Sequence, residues 1–332
     1  MRLPALADVL ADAVVLQLPM RVRFRGITVR EAMLVRGPAG WGEFAPFVEY
    51  PDDEAADWLL AGLEAAWAGV PAPVRERVPV NATVPAVPAS DVPAVVARFA
   101  GARTAKVKVA ERGQTLADDL ARVDAVRALV PHVRVDANGG WSVDDAVTAL
   151  RALTENGTLE YAEQPCATVA ELAQVRARVP GVRVAADESI RRADDPLAVV
   201  RAGAADVAVV KVAPLGGARR LQRLAAELAD YGVPVVVSSA LDTAVGIGVG
   251  TSAAAALPEL DFACGLGTGR LFVEDVADHG PDESGTLVTG TVVPDWARLR
   301  ALAAPPDRVR WWTDRLRRAH AVLERRGVEI VV

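Results

Sequence analysis

The sequence predicts an α/β fold: a closed barrel of eight parallel strands, preceded by a smaller antiparallel lobe. Three observations predict it. Short Val-rich runs end near Lys108, Asp136, Glu163, Asp187, Lys211, Ser238 and Gly265, at intervals of 24 to 28 residues. Amphipathic segments lie between these runs, and parallel strands need such crossover helices. A further strand near Val80 makes eight, the number that closes a barrel.

The first 70 residues have a different texture. Residues 21–35 alternate in the manner of a strand, 37–40 (Gly-Pro-Ala-Gly) turn the chain, and 41–44 return, which reads as an antiparallel meander. Over 52–68, Ala56, Leu59, Leu60, Leu63 and Trp67 recur at helical spacing. Six prolines between 70 and 94 mark a boundary or a strand entry rather than a helix. In the repeating region Leu116, Leu120, Val123, Val126 and Leu129 share a helical face, and Leu221, Leu224 and Leu228 mark another helix. Ser142 with Asp145, and Thr168 with Glu171, read as capping boxes. No strong crossover helix follows Gly265. The tail runs through turns at 280–290 to a last helix over 309–326, expected to pack back on the N-terminal lobe.

Of the 332 residues, 52% are apolar and 24% charged, enough to bury a large core. A net charge of −6 argues against nucleic-acid binding by the whole surface. The Arg-rich tail around Trp311 and Trp312 reads as an amphipathic helix with a solvated face. Asp8 and Asp12 interrupt the first apolar stretch, so no signal peptide is expected. The longest charge-free run, 243–258, is too short to span a membrane. Cys166 and Cys264 make no disulfide framework and fit a reducing compartment. These features point to a soluble cytoplasmic protein without nucleic-acid or membrane partners.

The chemistry lies in how the strands end. Active sites of barrels lie at the C-terminal ends of the strands, and here those ends carry Lys106 and Lys108, Asp136, Glu163, Asp187 and Lys211 in order. Most have a plainer reading alone: rim ion pairs for Lys106 and Lys108, a turn for Asp136 ahead of Asn138, and helix caps for Asp187-Glu188-Ser189, whereas Lys211 inside a buried apolar strand is less easily dismissed. Together, three carboxylates from adjacent strands repel one another unless a cation resolves the conflict, and oxygen ligands without His suit Mg²⁺, for which Mn²⁺ can substitute. Such a metal stabilises the enediolate formed when a proton leaves the carbon next to a carboxylate. A lysine beside a metal and a second ammonium is suited to be the base. Ser238, Ser239 and the small residues 265–269, starting at Gly265, either cradle a substrate carboxylate or make tight turns. His132, His279 and His320 stand alone. No His partners either cysteine, and 265–269 lacks the helix that a dinucleotide fingerprint needs.

The order Lys-x-Lys, Asp-x-Asn, Glu-Gln-Pro, Asp-Glu-Ser, Lys resembles the muconate-lactonising subgroup of the enolase superfamily. Within it, residues 40–50, 106–110, 135–141 and 264–275 are similar to the actinobacterial o-succinylbenzoate synthases of menaquinone biosynthesis. The resemblance implies a modified TIM barrel, (β/α)₇β, with an α+β capping domain. The cap would take residues 1–77, the barrel 78–270, and the tail 271–332 would pack on both. It implies dehydration of 2-succinyl-6-hydroxy-2,4-cyclohexadiene-1-carboxylate to o-succinylbenzoate, a hydro-lyase reaction on a small carboxylate. Lys108 would be the base and then the acid, Lys211 the cation across the ring, and Asp136, Glu163 and Asp187 the Mg²⁺ ligands. Lys106, Asn138 and Glu188 would orient these groups, and a cap loop over 19–26 would close on the substrate. An N-succinylamino acid racemase, with both lysines as acid–base groups, stays open on the same scaffold. A barrel that binds without catalysis is disfavoured by the intact lysines and carboxylates.

Overall fold

In the computed structural model, which describes residues 1–191 and 195–331, a short helix α1 (Leu6–Ala11) leads into three antiparallel strands. These are β1 (Val14–Phe24), β2 (Ile27–Gly37) and β3 (Gly40–Phe44). The expected strand over 21–35 is therefore two strands. The chain turns at Arg25 and Gly26, both at positive φ, and Phe24 pairs with Ile27. Helix α2 (Asp52–Leu63), continued by a π turn at Glu64–Ala68, lays Ala56, Leu59, Leu60 and Leu63 into the core, as its periodicity requires. It packs so closely on β3 that a Cβ on Gly42 would lie 1.9 Å from the Gly62 carbonyl oxygen.

After β4 (Arg77–Pro79), the barrel strands are β5 (Ala82–Val84), β6 (Thr104–Lys108), β7 (His132–Asp136), β8 (Ala162–Glu163), β9 (Val184–Ala186), β10 (Val207–Lys211) and β11 (Val235–Ser238). All seven are parallel and neighbour one another in chain order. The expected eighth strand is reduced to two single-residue bridges, Val80 with Cys264 and Ser238 with Gly265, which close the ring. The crossovers are α3 (Val92–Val96), α4 (Leu116–Arg127), α5 (Val143–Thr154), α6 (Val169–Arg178), the short α7 (Glu188–Arg191) and α8 (Ala198–Arg201), then α9 (Val212–Leu215), α10 (Ala218–Ala229) and α11 (Ala244–Ala255).

Thr168 and Glu171 form the expected capping box. Ser142 caps α5, but Asp145 accepts the Ser142 hydroxyl (2.6 Å) and does not reach back to the backbone, so the box is half made. A further box, Thr115 with Asp118, starts α4. Leu129 lies beyond the end of α4 and is 45% exposed; the buried face of that helix carries Asp119 and Arg122 beside Val123 and Val126. Within the expected turns at 280–290, β12 (Thr286–Val288) pairs with β4. After α12 (Trp296–Ala301), helix α13 (Pro306–Arg325) lies against α2. Glu31 of β2 holds it, accepting from Arg308 (2.8 and 2.6 Å) and from the Trp312 indole N–H (2.9 Å). The tail thus packs on the N-terminal lobe. Among the described residues no helix is long and apolar enough to cross a membrane.

Candidate active site

Strand register brings the sequence candidates to one level of the barrel mouth. Lys108 pairs with Asp136, and Asp136 with Glu163, across three neighbouring strands. On the other side Lys211 pairs with Ser238, which bridges to Gly265. Asp187 follows β9 directly. Lys106 and Lys108, two apart on one strand, project to the same face. The placement depends on local backbone. Arg122 of α4 donates to the Lys108 carbonyl (2.8 Å) and the Val87 carbonyl (2.7 Å), fixing the end of β6. Asn138 has a positive φ of 46°, and its N–H donates to Asp136 Oδ1 (3.0 Å).

The charges interlock. Lys106 donates to Glu163 Oε1 (2.7 Å) and lies 3.1 Å from Asp136 Oδ2. Lys108 reaches Asp136 Oδ2 and Asn138 Oδ1, both at 2.5 Å, and Lys211 pairs with Asp187 Oδ2. Burial opposes charge on Asp136, but Lys108 and Lys106 outweigh it and hold the carboxyl below its usual range. Asp187 is held low in the same way, burial being outweighed by Lys211 and Arg191. Burial also works against Lys106, yet Glu163 and Asp136 raise its pKa well above the ordinary lysine value. Glu163 goes the other way: burial and the Asp136 charge push it up to about 7.

The donor set fits a hard divalent cation. Three buried carboxylates sit on adjacent strand ends, and Glu163 Oε2 is buried without a hydrogen-bond partner among the described residues. Ammonium groups stand between these carboxylates, however, and no trio of His, Cys, Asp or Glu among the described residues forms a ready cage. Ser239 is engaged elsewhere, donating to the Gly265 carbonyl (2.8 Å) and meeting the Thr268 hydroxyl (2.7 Å). The Ser238 hydroxyl makes only a 3.4 Å contact with Gly265 O, and a Cβ on Gly265 would collide with it.

Several residues reach the site that the sequence did not single out. Gln164, also at positive φ, accepts from the Asp187 (3.0 Å) and Ser189 (3.2 Å) N–H groups, locking the Asp187-Glu188-Ser189 turn. Arg191 bonds Asp187 Oδ1 (3.1 Å) and Glu188 Oε1 (2.8 Å), and its spacing of four and three residues from them was the available signal. Asn138 Nδ2 also donates to that Glu188 oxygen (3.3 Å). From the lobe, the β1–β2 turn, the tip of the expected cap segment 19–26, brings Phe24 and Arg25 to the mouth. Lys108 Nζ lies 5.5 Å from the Phe24 ring centroid, and Arg25 stacks on Phe47 at 4.1 Å. Behind the site, buried Arg30 donates to Leu241 O (3.1 Å), Ala45 O and Ala240 O, holding the loop after β11, where Leu241 has φ 61°.

Residues 92–293 match the family model described as enolase C-terminal domain-like, and 15–66 the one described as enolase N-terminal domain-like. The o-succinylbenzoate synthase of Mycolicibacterium smegmatis is 65% identical over 320 residues, covering 96% of this chain and 98% of that one. The chain belongs to the o-succinylbenzoate synthase family of the enolase superfamily. A second member, from Mycobacterium tuberculosis, is 63% identical over 97% of both chains. Among solved structures, the muconate lactonizing enzyme from Pseudomonas fluorescens complexed with muconolactone superposes with a TM-score of 0.74 at 22% identity, covering 88% of this chain and 98% of that one. The L-Ala-D/L-Glu epimerase from Bacillus subtilis gives 0.72 at 22% identity, over 85% and 96%. At that identity the two share the synthase family's fold, a capping domain on a parallel α/β barrel.

Proposed function

We propose that this chain converts 2-succinyl-6-hydroxy-2,4-cyclohexadiene-1-carboxylate to o-succinylbenzoate with Mg²⁺, in the cytoplasm, on the route to menaquinone. The observation that carries this reading is the 63–65% identity, over nearly the whole chain, to proteins named o-succinylbenzoate synthase. In this reading Asp136, Glu163 and Asp187 hold the metal, with Mn²⁺ able to replace Mg²⁺. When bound, the ion supplies Lewis-acid stabilisation of negative charge building on the substrate carboxylate.

Lys108 removes the proton from the ring carbon bearing the carboxylate, leaving the electron pair as an enediolate. It then returns that proton to the hydroxyl leaving the neighbouring carbon on the same face. One C–H and one C–O bond break, a C=C bond forms, and water departs as the ring becomes aromatic. Lys211, paired with Asp187 Oδ2, faces the ring from the other side and offsets its charge. Lys106 orients Glu163 and Asp136, while Asn138 and Glu188 keep Lys108 and Arg191 in place. Of Ser238, Ser239 and Gly265, the Ser238 hydroxyl would be the one to meet a substrate carboxylate, while Ser239 and Gly265 bond each other across the wall. Phe24 and Arg25, at the tip of the 19–26 segment, cover the mouth and exclude water.

The test is an assay with the cyclohexadiene substrate beside N-succinyl amino acids, in chelated protein and after Mg²⁺ is restored. Dehydration is expected only with metal. Full turnover in thoroughly chelated protein would remove the metal assignment, and racemisation without dehydration would replace the synthase reading.

A further inference from the structure

Away from the active site, a cavity of about 420 Å³ gathers cationic side chains from four separate segments. Arg21 comes from β1, Arg98 from the turn after α3, Arg270 from the 3₁₀ turn Thr268–Leu271, and Arg298 from α12, with His279 between the last two in sequence. Three buried nitrogen atoms of this lining have no hydrogen-bond partner among the described residues: Arg98 Nη1, Arg270 Nε and His279 Nε2. Leaving such a group unmatched is costly, because a buried donor loses its water without gaining a partner.

Two of the nearby acids, Asp275 and Asp278, face Arg298 rather than the other three arginines. Asp275 Oδ1 is taken by the Ala244 (3.0 Å) and Val276 (2.7 Å) N–H groups at the start of α11. Asp278 is exposed and pairs with Arg298 at 4.0 Å, and Glu274 is exposed. Arg21 and Arg270 bond only backbone carbonyls, Val273 O (2.9 Å) and Pro281 O (3.3 Å). Among the described residues neither they nor Arg98 has an ion pair. Water would satisfy the donors but leave the guanidinium charges uncompensated. Donors converging from several segments call for an acceptor with oxygens in several directions, which a tetrahedral oxyanion offers and a planar carboxylate does not.

We propose that this cavity is an oxyanion site for inorganic phosphate or a small phosphate ester, bound by Arg98, Arg270 and His279 with Arg21 beside them. Its wall is also the strap between barrel and cap: Val273 N–H donates to Pro19 O (2.8 Å), and Phe272 bridges to Met20. A bound anion therefore ties β1, whose far end reaches the active-site mouth, to the barrel.

The test is a ³¹P NMR titration of the full chain with inorganic phosphate at constant ionic strength, with a phosphate monoester and succinate as parallel arms. Saturable phosphate binding is expected. It should weaken about tenfold or more in Arg98→Gln/Arg270→Gln, the loss of charged hydrogen bonds. It should stay within about twofold of the parent in Lys108→Ala/Lys211→Ala, which alters the other anion-binding candidate. If circular dichroism shows the double arginine variant unfolded, Arg98→Lys serves, and weaker binding is again expected because an ammonium lacks the planar fork. Unchanged affinity in the arginine variants, loss in the lysine variant, or equal affinity for succinate would overturn the proposal. Tighter binding of the monoester would identify the ester as the favoured ligand, and equal or weaker binding the free ion.

Discussion

Lys108 and Lys211 stand on β6 and β10, with the three carboxylate-bearing strand ends between them. If one lysine moves the proton both ways and the other only offsets charge, the two should fail differently. Lys108→Ala is expected to lower kcat by at least about 10²–10⁴-fold, whereas Lys211→Arg, which keeps the charge, should retain more turnover than Lys211→Ala. A racemase would need both lysines as proton carriers, and solvent deuterium would then enter N-succinyl amino acids at the α-carbon. Turnover and exchange measured on the three variants separate the cases. Glu43 offers a different test. It is buried with Asp242, accepts from the Thr243 N–H (2.9 Å) and hydroxyl (2.5 Å), and is pushed up to about 8 by burial and by that neighbouring acid. A carboxyl whose pKa is raised on folding binds its proton more tightly in the native state. Its contribution to stability therefore declines as pH rises from about 4.5 towards 8. Glu163 acts in the same direction up to about 7. Glu43→Gln should consequently flatten, without abolishing, the fall in Tm between pH 5 and pH 8 followed by scanning fluorimetry.

Elements differ in how openly the sequence announced them, and the reason is physical in each case. The strand ends were legible because an apolar run that closes on Lys, Asp or Glu at barrel spacing leaves few other folds open. The turn at Arg25–Gly26 was hidden because a two-residue reversal preserves the alternation of the strands on either side. Helix α3 lies among prolines that mask its short pattern, and β12 depends on a partner some 200 residues away. Of the candidate site, the barrel residues could be read from the strand pattern, whereas the cap segment 19–26 came only with the resemblance and its contact residues could not be named. Phe24 and Arg25 reach the mouth only through docking of a separate lobe, which no local pattern encodes. Inside the lobe itself, the packing of β3 on α2 has a narrow tolerance. Gly42→Ala sets a methyl against the backbone of α2, which cannot rotate away, so a loss of about 1–3 kcal/mol is expected in chemical denaturation.

At the scale of the molecule, the last helix acts on the first sheet. Glu31 receives Arg308, Trp312 and Gln17, and although burial works against its charge, these hydrogen bonds hold its pKa below the ordinary value. Its stabilisation is present above the unfolded pKa and fades as pH falls through the folded one. Glu31→Gln should lower the denaturation midpoint at neutral pH and lose most of that effect in acid, because the parent has by then given up the same charge. The barrel carries a different asymmetry. Between Lys108 and Asp136 the staves are joined by a five-residue ladder, but between Ser238 and Val80 the ring is sealed by Cys264 and Gly265 alone. A cylinder under thermal stress parts along its shortest seam, so the amides of Asn81, Cys264, Gly265 and Ser239, which stitch it, should exchange with solvent before those of β6 and β7. The breathing of the barrel is thereby confined to the side bearing Ser238 and Gly265. The opposite wall, which carries Lys108 and Asp136 on the five-residue ladder of β6 and β7, stays stiffer, giving the molecule one yielding edge and one firmer one around the same opening.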